Sequence, residues 1–242
     1  MSSGLQNILR WRSYRLPKRG NSEAEFEDEL GGDPDAGCFA IADGATESLC
    51  ADIWAQLLVK KYVANPVVDA SAWSDWLGPL RRQWWELVAQ RAFPWYAEHK
   101  LEHGAAAAFV GLIIQPLHQW SAVAIGDSCL FQLRAGALIQ KFPILHSTDF
   151  TNRPRLIGSR PSQPEPPLLN VSGEWKAGDQ LLLMTDALAQ WFLAEIEQHR
   201  EPAPAIQRLL GHTPDLQAAE IEGWRDADSL RNDDVSLILI EF

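Results

Sequence analysis

The chain has 242 residues, with 32 acidic against 21 basic side chains and a formal net charge of −11. That balance excludes a surface built to hold nucleic acid or an anionic membrane, both of which need clustered Lys and Arg. Its length suits one domain, residues 1–242, and its 46% share of apolar residues is enough for a large core.

Three cysteines, Cys38, Cys50 and Cys129, form neither a disulfide framework nor a metal-type spacing. They are expected to be reduced thiols in a cytoplasmic protein. The first 19 residues are polar and basic, and no apolar run approaches the ~18 residues of a membrane span, so neither a signal peptide nor a span is expected.

In chain order, 11–20 alternates bulky and basic residues and predicts an edge strand ending at Pro17. The acidic run 21–29 reads by itself as a solvated loop, and 31–37, rich in Gly with Pro34, as a turn. An apolar strand then begins at Cys38 and runs straight into Asp43 and Gly44. From Glu47, Leu49, Ile53, Leu57 and Leu58 fall at helical spacing, with Thr46 or Ser48 as N-cap. A second helix is predicted from Ser71 or Ser74 through Leu80, Trp84 and Val88 toward Pro94.

Strands follow at 105–115, 120–127, 129–134 and 138–142, the last two joined by a tight turn at 135–137. The segment 143–167 is too long and irregular for a simple turn and is expected to be a functional flap or a surface loop. A strand at 180–185 passes through Asp186 into a helix at 188–199, and helices follow at 203–210 and 214–224. The last strand, 235–240, is preceded by Asp233 and Asp234.

Four apolar strands thus carry an aspartate at one end: Asp43, Asp127, Asp186 and Asp233. Were those ends to meet, the carboxylates would have no nearby lysine to balance them. Like charges so close drive one another toward the protonated form, unless cations intervene. Oxygen-only ligation selects hard ions, Mg²⁺ or Mn²⁺, over zinc, and no histidine adjoins these aspartates.

The sequence resembles the PP2C-type (PPM) metal-dependent serine/threonine protein phosphatases across nearly its whole length, in four blocks that keep the family's order. FAIADG at 39–44 is similar to that family's strand ending in DG, AIGDS at 124–128 to its GDS block, GDQLLLMTDAL at 178–188 to GDxLLLxSDGL, and DDVS at 233–236 to its terminal D-N-x-T. The resemblance implies an α+β fold, a four-layer α-β-β-α sandwich of two packed, mainly antiparallel sheets flanked by helices. It further implies two Mg²⁺ or Mn²⁺ ions, with Asp43 between them and the Gly44 carbonyl on the second. Asp186 and Asp233 would hold the first ion, and Asp127 would lie in the outer shell or on a third, weaker one. Glu27 and Asp28 would support the second ion directly or through water, which turns the acidic run from loop into site.

The implied activity is hydrolysis of phosphoserine or phosphothreonine in a phosphoprotein, by attack of a hydroxide bridging the two cations. The implied partner is a phosphorylated protein substrate. The charge and cysteine usage read above add a cytoplasmic protein without nucleic-acid or membrane partners, and a monomer is expected, the sequence itself leaving the oligomeric state unknown. Two rival readings are a catalytically weak or inactive PP2C-like regulatory or binding module, and a small-molecule phosphomonoesterase.

The sequence departs from that family's pattern at four places. The phosphate-gripping arginine ahead of the acidic pair is replaced by Glu23 and its neighbours, so Arg19 is expected to reach the phosphate instead. Ala45 stands where some members have a histidine, Ala187 where they have glycine, and Asp234 where they have asparagine.

Overall fold

The structure, a computed structural model, describes residues 9–94, 100–151, 153–161 and 165–242. Residues 1–8 of the basic N-terminal stretch, and 152 and 162–164 of the long irregular segment, lie outside the described residues.

In chain order the strands are β1 (Arg10–Leu16), β2 (Glu29–Asp33), β3 (Cys38–Gly44), β4 (Ala106–Gln115), β5 (Gln119–Ile125), β6 (Cys129–Arg134), β7 (Ala137–Phe142), β8 (Ile157–Gly158), β9 (Leu169–Glu174), β10 (Gln180–Met184) and β11 (Val235–Glu241). The helices are α1 (Ala51–Ala64), α2 (Trp73–Val88), α3 (Asp186–Glu197), α4 (Ala203–Gly211) and α5 (Pro214–Asp226). One sheet runs β1-β11-β10-β6-β7 and the other β2-β3-β4-β5-β9, with β8 beside β4. Every pairing in both is antiparallel.

The period-two alternation of strand side chains builds the layers. Phe39, Ile41, Val110 and Leu112 of one sheet meet Leu181, Leu183, Ile238 and Ile240 of the other in a central core. On the opposite face of β3, Ala40 and Ala42 pack with Trp54, Leu58 and Tyr62 of α1. That face is deliberately shallow: a Cβ at Gly111 would stand 2.5 Å from the Tyr62 ring. On the other outer face, Leu188 and Phe192 of α3 and Leu209 of α4 cover Phe131, Leu182, Leu237 and Leu239. The result is the expected four-layer α-β-β-α sandwich, and no helix among the described residues is long and apolar enough to cross a membrane.

Several local expectations are corrected. Gly31 and Gly32 belong to β2 and not to a turn, because a Cβ on Gly32 would come within 2.4 Å of the Phe39 ring across the pair. The turn is confined to 34–37, where Gly37 takes φ +68°. Neither Thr46 nor Ser48 caps α1; Cys50 does so in a left-handed conformation without a side-chain bond. Ser48 instead donates from its hydroxyl to the Ala45 carbonyl (2.8 Å) and accepts the Ala106 N–H (3.1 Å), tying the loop after Asp43 to β4. Within the long segment, 157–158 adds a short strand to β4, and just after it 169–174 forms a further one, β9, that the sequence pattern does not announce.

Candidate metal centre

Strand direction brings the aspartates together. β3 and β5 both run antiparallel to β4, so Asp43 and Asp127 lie at the same end of their sheet. β10 ends where the antiparallel β11 begins, which brings Asp186 beside Asp233. Thr185 secures that corner: its N–H donates to the Ser236 carbonyl, and its hydroxyl accepts the Ser236 N–H at 3.0 Å. The four side chains, with Gly44, line a cleft of about 540 Å³ whose other walls include Thr46, Ala108, Arg231 and, from the long segment, Thr151, Arg153 and Leu156.

Asp28 stands behind this cleft, 5% exposed, and neither of its carboxylate oxygens has a hydrogen-bond partner among the described residues. The Ser236 and Thr185 hydroxyls are near enough to temper its pKa without reaching hydrogen-bond geometry. Burial first, and then Asp234 and Asp186, push Asp28 well above the usual carboxylate range. Asp43 keeps an edge open to the cleft but lies deep among its neighbours. Burial, followed by Asp28, Asp186, Asp127 and Asp233, raises it likewise. Burial, then Asp186, pushes Asp127 up to about 7. Asp186 is also raised by burial, against the pull of Arg231. Glu27 is raised by burial too, with Thr46 and Lys18 opposing.

Arg231, two residues ahead of Asp233, is the cation within this cluster. Its Nη2 donates to Asp186 Oδ2 and stands 3.3 Å from Asp233 Oδ2. The sequence offers no lysine beside these carboxylates; the balancing side chain is an arginine. A charged residue in a short loop before a strand looks like ordinary solvated surface, and only its spacing from Asp233 could have signalled it. Lys18 lies at the other side, its Nζ 3.2 Å from Thr46 Oγ1 and 3.9 Å from Glu27.

Arg19 is not brought to the cleft. Its guanidinium is held by Glu222, and by Asp226 at 2.7 Å, on α5, so the phosphate contact expected of it has no geometry here. Asp234, the residue in place of asparagine, is 5% exposed and is not among the residues that line the cleft. Oδ1 accepts the Lys18 N–H at 2.7 Å and Oδ2 the Glu27 N–H at 2.9 Å. Two acceptor atoms are needed there, which a carboxylate has and an amide lacks. Arg225, almost fully buried, donates to the Asp233 carbonyl at 2.6 Å and the Pro17 carbonyl at 3.2 Å, fixing the same junction. The Cys129 thiol is buried, donates to the Asp127 carbonyl and is raised well above its ordinary pKa by burial, so it supplies no thiolate.

Among the described residues, no three His, Cys, Asp or Glu side chains stand at the spacing of a finished metal cage. The donor set nonetheless fits a hard divalent cation. It is all oxygen, its members raise one another's pKa, and Asp28 buries a carboxylate that nothing else satisfies. Gly44 fits the same purpose: a Cβ there would meet the Glu27 carbonyl at 2.7 Å and Ala51 at 2.9 Å, so only glycine lets the strand end pass this close to the Glu27–Asp28 segment.

No protein-family model matches the sequence. None of the curated proteins matches it either. Solved structures do, over nearly full length. PppA of Pseudomonas aeruginosa, described as a key regulatory component of the T6SS, is 19% identical with a TM-score of 0.63, covering 97% of this chain and 98% of its own. The serine/threonine phosphatase PstP/Ppp of Mycobacterium tuberculosis is 18% identical with a TM-score of 0.62, over 97% and 99%. The catalytic domain of the serine/threonine protein phosphatase PstP, solved with two manganese ions, is 21% identical with a TM-score of 0.58, over 97% and 98%. The chain has the fold of the PP2C-type (PPM) serine/threonine phosphatases.

Proposed function

We propose that this chain, one domain with the PP2C-type fold, is a metal-dependent phosphoprotein phosphatase acting on phosphoserine or phosphothreonine. The observation that carries the reading is the cluster itself: Asp43, Asp127, Asp186 and Asp233 from four separate strand ends around one cleft, backed by the unpartnered carboxylate of Asp28. Asp43, Asp186 and Asp233 would hold Mg²⁺ or Mn²⁺, with Glu27, Asp28 and the Gly44 carbonyl on a second ion and Asp127 at a third, weaker position. The manganese ions in the PstP structure support this assignment. When bound, such cations would supply positive charge for the phosphoryl oxygens and lower the pKa of a coordinated water.

The chain's own residues supply the rest. Thr185 and Ser236 lock the corner that aims Asp186 and Asp233 at the cleft. Asp234 and Arg225 hold the Lys18 and Asp233 backbones in place. With Ala45 after Gly44, no side chain at that position can protonate the leaving group, so its proton must come from water. Direct attack of water requires no covalent phosphoenzyme, consistent with the buried neutral thiol of Cys129.

The test is hydrolysis of p-nitrophenyl phosphate with Mn²⁺, Mg²⁺ or EDTA, beside Asp186→Asn. Metal-dependent turnover that falls by at least about a hundredfold in the variant is expected, because a lost charge at a metal centre removes several kcal/mol of transition-state stabilisation. Absence of turnover with every metal, in folded protein, sinks the enzymatic reading and leaves a binding module.

A further inference from the structure

We propose that Arg231 is an internal counter-cation of the metal centre, which weakens binding of the first divalent ion and becomes the phosphate-binding side chain once that ion is in place. This rests on the metal-centre reading above. The observation is one guanidinium nitrogen bonded to Asp186 Oδ2 and 3.3 Å from Asp233 Oδ2, the two carboxylates assigned to the first ion. A cation taking those carboxylates must displace this nitrogen or accept a positive neighbour at contact distance, and either lowers its affinity.

A displaced Arg231 has somewhere to go. Its side chain is 37% exposed, and it lines both the carboxylate cleft and a neighbouring cleft of about 630 Å³ between α3 and the loop before β11. From that shared wall a planar guanidinium can present two N–H groups to a phosphate oxygen pair in the carboxylate cleft, bidentately. The alternative cation, Arg19, is tied to Glu222 and Asp226 on α5. Arg153 lies on the exposed rim of the carboxylate cleft and has no bond to its aspartates among the contacts of the described residues.

The test is calorimetric and needs no turnover. Mn²⁺ is titrated into wild type, Arg231→Gln, Arg231→Lys and Arg19→Gln, and inorganic phosphate is then titrated into the Mn²⁺-saturated proteins, with folding checked by far-UV circular dichroism. Arg231→Gln is expected to bind Mn²⁺ about tenfold tighter and phosphate about tenfold more weakly, for one charge removed beside each ligand. Arg231→Lys should keep the weak Mn²⁺ affinity and lose most of the phosphate affinity, since the charge stays while the planar fork goes. Arg19→Gln should match wild type in both. Mn²⁺ affinity unchanged or weaker in Arg231→Gln, or phosphate affinity unchanged, overturns the inference while leaving the metal centre standing. No Mn²⁺ binding in any of the four proteins overturns the metal centre and the inference together.

Discussion

Replacing Gly44 by alanine isolates the closest backbone approach in the site. The added Cβ would stand 2.7 Å from the Glu27 carbonyl oxygen, 2.9 Å from the Ala51 Cβ and 3.0 Å from the Ala51 carbonyl carbon. Two of those three atoms belong to the backbone, of the strand approach on one side and of the first turn of α1 on the other, so neither can swing aside as a side chain would. Overpacking in a tight core costs about 1–3 kcal/mol, and the rigidity of these neighbours places Gly44→Ala at the top of that range, about 3 kcal/mol. For a chain of this size that corresponds to a loss of about 6–12 °C in Tm. Gly223→Ala serves as the opposite case, since it lies inside α5 with nothing within 4 Å of its added Cβ and should gain about 0.5–1 kcal/mol from helix propensity alone. Urea unfolding of the two variants beside wild type reads both signs. A Gly44→Ala loss below about 0.5 kcal/mol would refute the claim that the strand end is held against the Glu27 segment.

The carboxyls predict a pH dependence in EDTA. Asp28, Asp43, Asp127 and Asp186 are all raised on folding, mainly by burial, so the folded state holds more protons than the unfolded chain. Their contribution is complete below the unfolded carboxyl range near pH ~4 and is lost as pH rises through the folded values, about 7 at Asp127. The urea midpoint should therefore fall between about pH 5 and about pH 8, and saturating Mn²⁺ should flatten or reverse that slope; a midpoint that rises in EDTA contradicts the clustering. Far from the cleft, buried Asp179 accepts bonds from Arg134 Nη2 at 2.7 Å, Gln132 Nε2 at 2.9 Å and the Lys176 N–H at 3.0 Å. Asp179→Ala should cost about 3 kcal/mol by orphaning those donors, measured by urea unfolding with Mn²⁺ affinity unchanged.

The elements that carry the aspartates were the most legible in the sequence, because β3, β10 and β11 are continuous apolar runs buried on both faces and each is bounded by a carboxylate. β9 gave no such signal: its residues Leu169–Glu174 lie at a sheet edge, four exposed and Val171 and Gly173 partly buried, so burial imposes little pattern on them. The glycines of β2 read as a turn because what they accommodate, the Phe39 ring, comes from the partner strand and not from their own neighbourhood. Within the site, aspartates could be found by their recurrence at strand ends. Arg231 offered only its two-residue spacing from Asp233, since its bonded partner Asp186 is 45 residues away, and Arg19 lies near an acidic pair in sequence while α5, some 200 residues on, holds it. Charge pairing across the fold is set by topology, which local sequence does not encode.

The bonds from the Lys18 and Glu27 backbones to Asp234 have a bearing on how the protein comes into being. Among the described residues β1 pairs with β11 alone, a pairing reinforced by the side-chain bond of Arg12 to Glu241 across 229 residues, and the two bonds to Asp234 span 216 and 207. During synthesis the Lys18 and Glu27 backbones thus wait for Asp234, although β2 can already pair with β3, and Asp186 has no partner corner until Ser236 arrives. Asp43, Asp127 and Asp186 are all made before the strand that gathers them. The acidic cleft closes in the step that joins β1 to β10 through β11, so a chain stopped short of β11 cannot present it to a cation or a phosphate.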